Sequence, residues 1–208
     1  MSANLVITIG REFGSGGHEI ASKVAEKLGI KLYDKELIAL IAKNSGMSED
    51  ILHEIDETAS KTSFLYALSS GAFAGTSVLS SGVAALPIAD QAFINCSQII
   101  KELADKESCV VLGRCGDSIL AGREKLLTVF IHADMPYRIE RVAKRKNISR
   151  QEAEALIKKV DKKRAAYHNY YADTRWGARG TYSLCLNSVL GTDILVDIIV
   201  AAAKDMMK

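Results

Sequence analysis

The chain has 208 residues, of which 48% are hydrophobic and 25% charged, with a formal net charge of +2. That is enough apolar material for one domain with a sizeable core, and it excludes disordered, collagen-like and disulfide-framework classes, since the four cysteines show no C-x-x-C spacing. No basic region precedes an apolar stretch of signal-peptide length, so export is not expected, and Cys96, Cys109, Cys115 and Cys185 read as reduced residues of a cytoplasmic protein.

The apolar run Leu5–Ile9 predicts a strand. It opens into Gly10-Arg11-Glu12-Phe13-Gly14-Ser15-Gly16-Gly17-His18-Glu19, and from His18 to Leu28 apolar residues recur at helical spacing until Gly29 stops them. A strand that ends in glycines and feeds a helix leaves backbone N–H groups pointing at one spot, and the helix dipole adds positive potential there, so phosphate is the expected ligand of Gly14, Ser15, Gly16, Gly17 and His18. A P-loop reads G-x-x-x-x-G-K-[ST], whereas Gly17, His18 and Glu19 follow Gly16 here. The phosphate cradle is present and its lysine is not.

The run Ile30–Tyr33 predicts the second strand, ending at Asp34. Helices are expected over Lys35–Lys43 and over Ser48–Ala59, the latter capped by Ser48. Thr62–Ala89 carries no charge and contains Gly71-x-x-x-Gly75, but its many serines make it too polar to span a membrane. This run suits either packing against a second subunit or folding over a ligand as a flap, so oligomeric state stays open. A longer helix follows over Ala89–Lys106, then a strand over Cys109–Leu112 leading into Gly113-Arg114-Cys115-Gly116-Asp117.

Leu127–His132 is the fourth predicted strand, followed by Asp134. Ser149 with Glu152 three residues on forms a capping box that opens a helix running through Tyr170. Tyr182–Asn187 is the fifth strand, followed by Ser188, and Thr192 is the expected cap of a last helix that starts at Asp193. Strands alternating with helices imply a mostly parallel sheet covered on both faces, with ligands at the carboxyl ends of its strands.

Charge is uneven. Between Arg138 and Arg179 there are thirteen Lys/Arg against five acids, or +8, leaving −6 elsewhere. Interleaved acids and the lack of an aromatic-basic motif argue against nucleic acid, and an arm that closes on polyphosphate fits both the charge and the glycine loop. Tyr167, Tyr170, Tyr171 and Trp176 either stack on a base or pack this arm onto the core. A rival reading is an NAD(P)-dependent short-chain oxidoreductase, because Gly10, Gly14 and Gly16 match its glycine spacing and Asp34 lies where an acid would hold ribose. Such an enzyme needs a Tyr-x-x-x-Lys pair, and no tyrosine of this chain has lysine four residues later.

Four segments together, 7–21, 32–38 (Leu-Tyr-Asp-Lys-Glu-Leu-Ile), 111–117 (Val-Leu-Gly-Arg-Cys-Gly-Asp) and 186–191 (Leu-Asn-Ser-Val-Leu-Gly), resemble the cytidylate kinase-like family. The resemblance implies an α/β fold of the P-loop NTPase, nucleoside monophosphate kinase-like type: a five-stranded parallel sheet flanked by helices, with a helical lid. It implies one domain over 1–208, with an acceptor-binding or flap region over about 45–105 and a basic lid arm over about 138–180. It implies ATP and Mg2+, and transfer of the γ-phosphate to a small acceptor, most simply a nucleoside monophosphate. Gly14 to His18 would wrap the donor phosphates, Asp34 would shape the acceptor site, Arg114 and Asp117 would meet the acceptor, and Arg141, Arg145 and Arg164 would act as lid arginines.

Glu19 stands where those kinases carry a hydroxyl, which makes it either a magnesium ligand or a helix-start residue. For the missing lysine, Arg11 is the preferred substitute over His18, because guanidinium stays charged and forks onto two oxygens, whereas a helix N-terminus pushes histidine toward its neutral form. A second reading keeps the cradle and drops the chemistry, giving an inactive nucleotide-binding or regulatory protein.

Overall fold

The computed structural model describes residues 3–34, 37 and 88–208. The helices expected over Lys35–Lys43 and Ser48–Ala59, and all but the end of the Thr62–Ala89 run, lie outside the described residues.

Among the described residues the strands are β1 (Val6–Arg11), β2 (Lys31–Tyr33), β3 (Cys109–Leu112), β4 (Leu126–His132) and β5 (Leu184–Asn187), and the helices are α1 (Gly17–Leu28), α2 (Ile88–Lys106), α3 (Gly116–Ile119), α4 (Met135–Lys146), α5 (Arg150–Tyr171) and α6 (Thr192–Met206). The strands form one five-stranded sheet in the order β2-β3-β1-β4-β5, and every neighbouring pair is parallel. β1 is central, pairing Val6 to Ile9 with Cys109 to Leu112 on one side and Val6 to Arg11 with Leu126 to Ile131 on the other. β3 leaves β1 after Ile9 while β4 stays paired to Arg11, and the carboxyl ends of the strands are where an α/β sheet binds ligands.

Alternation along β1 sends successive side chains to opposite faces. Leu5, Ile7 and Ile9 pack with Ile20, Val24, Leu195 and Ile199 of α1 and α6. Val6 packs on the other face with Cys96, Ile99 and Ile100 of α2. Both faces of the sheet are therefore covered, which is why its strands read as continuous apolar runs in the sequence.

A third, smaller cluster lies outside the sheet layers: Ile139 and Val142 of α4 against Ala153 and Ile157 of α5, with Phe13 of the glycine loop packed on it. Ser149 caps α5 as expected, its side chain accepting from Glu152 N while Glu152 returns to the Ser149 backbone. Gly29 ends α1 in the left-handed region. Two expectations are corrected. The residue at the N-cap of the last helix is Gly191 and Thr192 is its first residue, and Tyr182, buried, precedes β5 rather than opening it. α3 and α4 were not foreseen.

All four cysteines are free; Cys96, Cys109 and Cys115 are buried and Cys185, on the edge strand, is half-buried. Burial pushes the Cys109 thiol up to about 11 and raises that of Cys115 as well. Thiolate is the reactive species, so iodoacetamide at pH 8 is expected to label Cys185 first and to leave Cys109 and Cys115 unmodified until the protein unfolds. Peptide mass spectrometry over a time course reads this order directly.

Candidate active site

The glycine loop closes the carboxyl end of β1. Gly14 and Gly16 both take φ +84°, and Ser15, buried between them, donates its hydroxyl to Glu12 O at 2.9 Å. Gly17 then opens α1. The amides of Gly17, His18 and Glu19 sit in the first turn of α1, where no carbonyl of the helix itself reaches them.

At Gly17 a Cβ would lie 2.6 Å from Arg11 Cβ and 2.9 Å from Arg11 Cγ. The stem of Arg11 thus runs through the space that a lysine at position 17 would need. Its guanidinium continues over Gly113 at the end of β3, where a Cβ would fall on Arg11 Nη1. Arg11 Nη2 stands 3.9 Å from Asp34 Oδ1, and His18 Nε2 stands 3.3 Å from Asp34 Oδ2. Asp34, at the end of β2, therefore joins the glycine loop to the second strand.

The loop is also held from the basic arm. Asp161 of α5 accepts from Phe13 N at 2.7 Å, and Arg138 of α4 pairs with Asp161 and lies 3.5 Å through Nε from Glu12 Oε2. Glu12 in turn accepts from Ala133 N at 3.0 Å. Arg145 and Arg164 each place their guanidinium 5.6 Å from the Phe13 ring centre, and Arg164 donates to Arg11 O at 3.1 Å.

A cavity of about 520 Å³ opens between the ends of β1 and β3 and the inner face of α5. It takes in Arg11, Arg114, Asp117, Arg145 and Arg164, so five of the residues singled out from the sequence line one cavity. A second space of about 430 Å³ lies on the outer side of the loop, lined by Gly14, Gly16, Arg141 and again Arg145. Arg145 is common to both. Arg141 covers Gly16 and reaches Glu19 Oε2 at 3.1 Å, and Lys23 approaches the other Glu19 oxygen at 4.0 Å.

Asp117 is not an open ligand in this structure. Its Oδ2 lies 2.9 Å from Nε2 of His168, a buried residue of α5. His168 lines the cavity and was not singled out from the sequence as a site residue, because its partner is 51 positions away and no local spacing marks the pair. The tyrosines divide. Tyr171 stacks on Phe93 with ring centres 4.0 Å apart and donates to Asp90, whereas Tyr167 and Trp176 face the cavity. Trp176 meets Phe130 edge-on at 5.2 Å, and Tyr182 meets the same ring at 5.0 Å. No cluster of three or more metal-ligating side chains occurs among the described residues, and none of the described helices is long and apolar enough to cross a membrane.

A parallel sheet in this order, with a glycine loop between its central strand and the first helix and with arginines of a helical pair converging on that loop, defines a P-loop kinase fold. Solved structures agree: a gluconokinase from Sinorhizobium meliloti 1021 (13% identity, TM-score 0.54, covering 99% of this chain and 95% of that one) and a shikimate kinase from Bacteroides thetaiotaomicron (12%, 0.51, 96% and 98%) share the architecture. The chain belongs to the cytidylate kinase-like family, whose model matches residues 6–189. An uncharacterized protein from Eubacterium ventriosum ATCC 27560 is similar at 29% identity with a TM-score of 0.69, covering 97% of this chain and 99% of that one. No curated protein matches the chain.

Proposed function

We propose that the protein is an ATP-dependent phosphotransferase in which Arg11 stands in for the P-loop lysine, moving the γ-phosphate to a small phosphorylated acceptor, of which a nucleoside monophosphate is the simplest. The observation that carries this reading is the shared space of Arg11 and Gly17: glycine at the lysine position leaves room for an arginine stem from the preceding strand. The donor phosphates would lie against the amides of Gly14 to His18 with Arg141 over the loop, and the acceptor would enter the larger cavity beside Arg114. Arg145, common to both spaces, would meet the phosphoryl group in transit, with Arg164 behind it.

Phosphoryl transfer needs in-line alignment and positive charge around the equatorial oxygens more than it needs covalent chemistry. Magnesium brought with the nucleotide would supply charge neutralisation for the phosphoryl oxygens and would ask for few protein ligands. Glu19 is the carboxylate beside the loop suited to it, once drawn from its pairing with Arg141. Asp34 orients Arg11 and His18 from the side of the second strand.

Thermal unfolding with Mg–ATP, followed by a phosphotransfer screen across the common monophosphates, tests the proposal. At 100 times its Kd, ATP should stabilise the fold by about 2.7 kcal/mol, and NADH should not. Binding of ATP with no turnover on any acceptor would favour the inactive, regulatory reading, and protection by NADH alone would revive the oxidoreductase.

A further inference from the structure

Four cations on the arm side of the larger cavity, Arg145, Lys146, Lys159 and Lys163, have no carboxylate within ion-pair distance among the described residues. Their neighbours differ. Lys158, one residue away and outside the lining, pairs with Glu154, and Arg150 pairs with Glu140. Lys159 and Lys163 are also four apart on α5, a spacing that puts like charges side by side at a cost to the helix. Arg11 and Arg114 stand on the opposite wall, Arg164 follows Lys163 on α5, and the one carboxylate of the lining among the described residues, Asp117, is engaged with His168.

Part of this charge is accounted for by the phosphotransferase reading. Arg11, Arg145 and Arg164 would serve the transferring group, and Arg114 is one guanidinium for one acceptor phosphate. Lys146, Lys159 and Lys163 remain, lining the same space with no carboxylate among the described residues within ion-pair distance. A solvated helix face would spread its lysines around the helix and pair them with the acids nearby, as Lys158 does. Convergence on a cavity of molecular size is what an anionic ligand would select.

We propose that the acceptor carries at least two separated phosphate groups, the first held by Arg114 and the second by Lys146, Lys159 and Lys163. This rests on the phosphotransferase reading and narrows its acceptor from a monophosphate to a bisphosphorylated small molecule. Trp176, the only tryptophan of the chain, lines the cavity and provides the signal.

The test is a tryptophan-fluorescence titration with adenosine 5′-monophosphate and with adenosine 3′,5′-bisphosphate, each with and without saturating magnesium and a non-hydrolysable ATP analogue. The bisphosphate should bind about tenfold or more tighter than the monophosphate, with the gap narrowing as salt rises. A K159A/K163A variant should lose most of that gap and keep its affinity for the monophosphate and for the ATP analogue. K158A/K162A, which removes equal charge from the same helix outside the cavity lining, should keep the gap. Equal affinity for the two ligands overturns the proposal, as does a gap that K158A/K162A removes equally well. Tight binding of a short single-stranded RNA in place of the bisphosphate also overturns it, since the arm would then be a general polyanion surface. Failure of the ATP analogue to bind in any titration counts against the phosphotransferase reading instead, and the bisphosphate preference is still read from the titrations without it.

Discussion

Replacing Arg11 by alanine is expected to lower kcat for phosphotransfer by about 10²- to 10³-fold, the range seen when one preorganised donor to a developing charge is removed. The fold should survive, because the Arg11 side chain is a wall of the cavity and contributes no apolar surface to either sheet-face cluster. Gly17→Lys supplies the converse. Its Cβ would stand 2.6 Å from Arg11 Cβ, so the restored lysine and the resident arginine cannot both occupy their places, and the single variant should be as impaired as R11A. Removing the Cβ at position 11 as well removes the conflict: R11G/G17K should recover a substantial part of the activity that R11A loses. ATP affinity by thermal shift and turnover on the best acceptor of the screen measure both effects. Full activity in R11A, or a double variant no better than R11A, would show that the phosphate cation lies elsewhere.

How far the sequence foretold this site depends on whether the partners are local. Gly17 standing in the lysine position is legible because the P-loop spacing is local, and so is the Ser149–Glu152 box. Cys109–Leu112 was bounded correctly because every residue of β3 is buried. α4 was missed for a physical reason. Its buried face is Arg138, Ile139 and Val142, so a charged residue occupies one of the positions where a helical pattern expects an apolar one. Asp117, expected at the acceptor, also pairs with His168, a contact that only the meeting of α5 with α3 creates. The reason for glycine at position 14 also has two parts. The loop needs φ +84° there, and a Cβ would lie 2.8 Å from Val142 Cγ2 of α4, so the residue admits the arm as well as a phosphate.

Arg138 is the position where a single change should cost the most stability. Its side chain is 7% exposed and faces two carboxylates, Asp161 and Glu12, at the base of the arm. Those carboxylates accept from the backbone of Phe13 and Ala133, so the cluster binds the glycine loop, the end of β4 and the α4–α5 pair to one another. Removing one partner of a buried ion pair leaves uncompensated charge and typically costs about 3–5 kcal/mol; here Arg138→Ala would leave two anions facing each other. At roughly 2–4 °C per kcal/mol for a chain of this size, Tm should fall by about 6–20 °C. Asp161→Asn keeps an oxygen for Phe13 N and leaves Arg138 with Glu12, so its loss should be the smaller of the two. An exposed cation on the same helix sets the baseline: Lys144→Ala should stay within about 0.5 kcal/mol of the parent. The damage should also reach ATP, since the Phe13 amide and carbonyl that shape the loop are both held by this cluster. Calorimetry on the three variants, with nucleotide titrations on the two that touch the cluster, checks the order; an Arg138→Ala protein as stable as Lys144→Ala would mean that solvent already screens those charges.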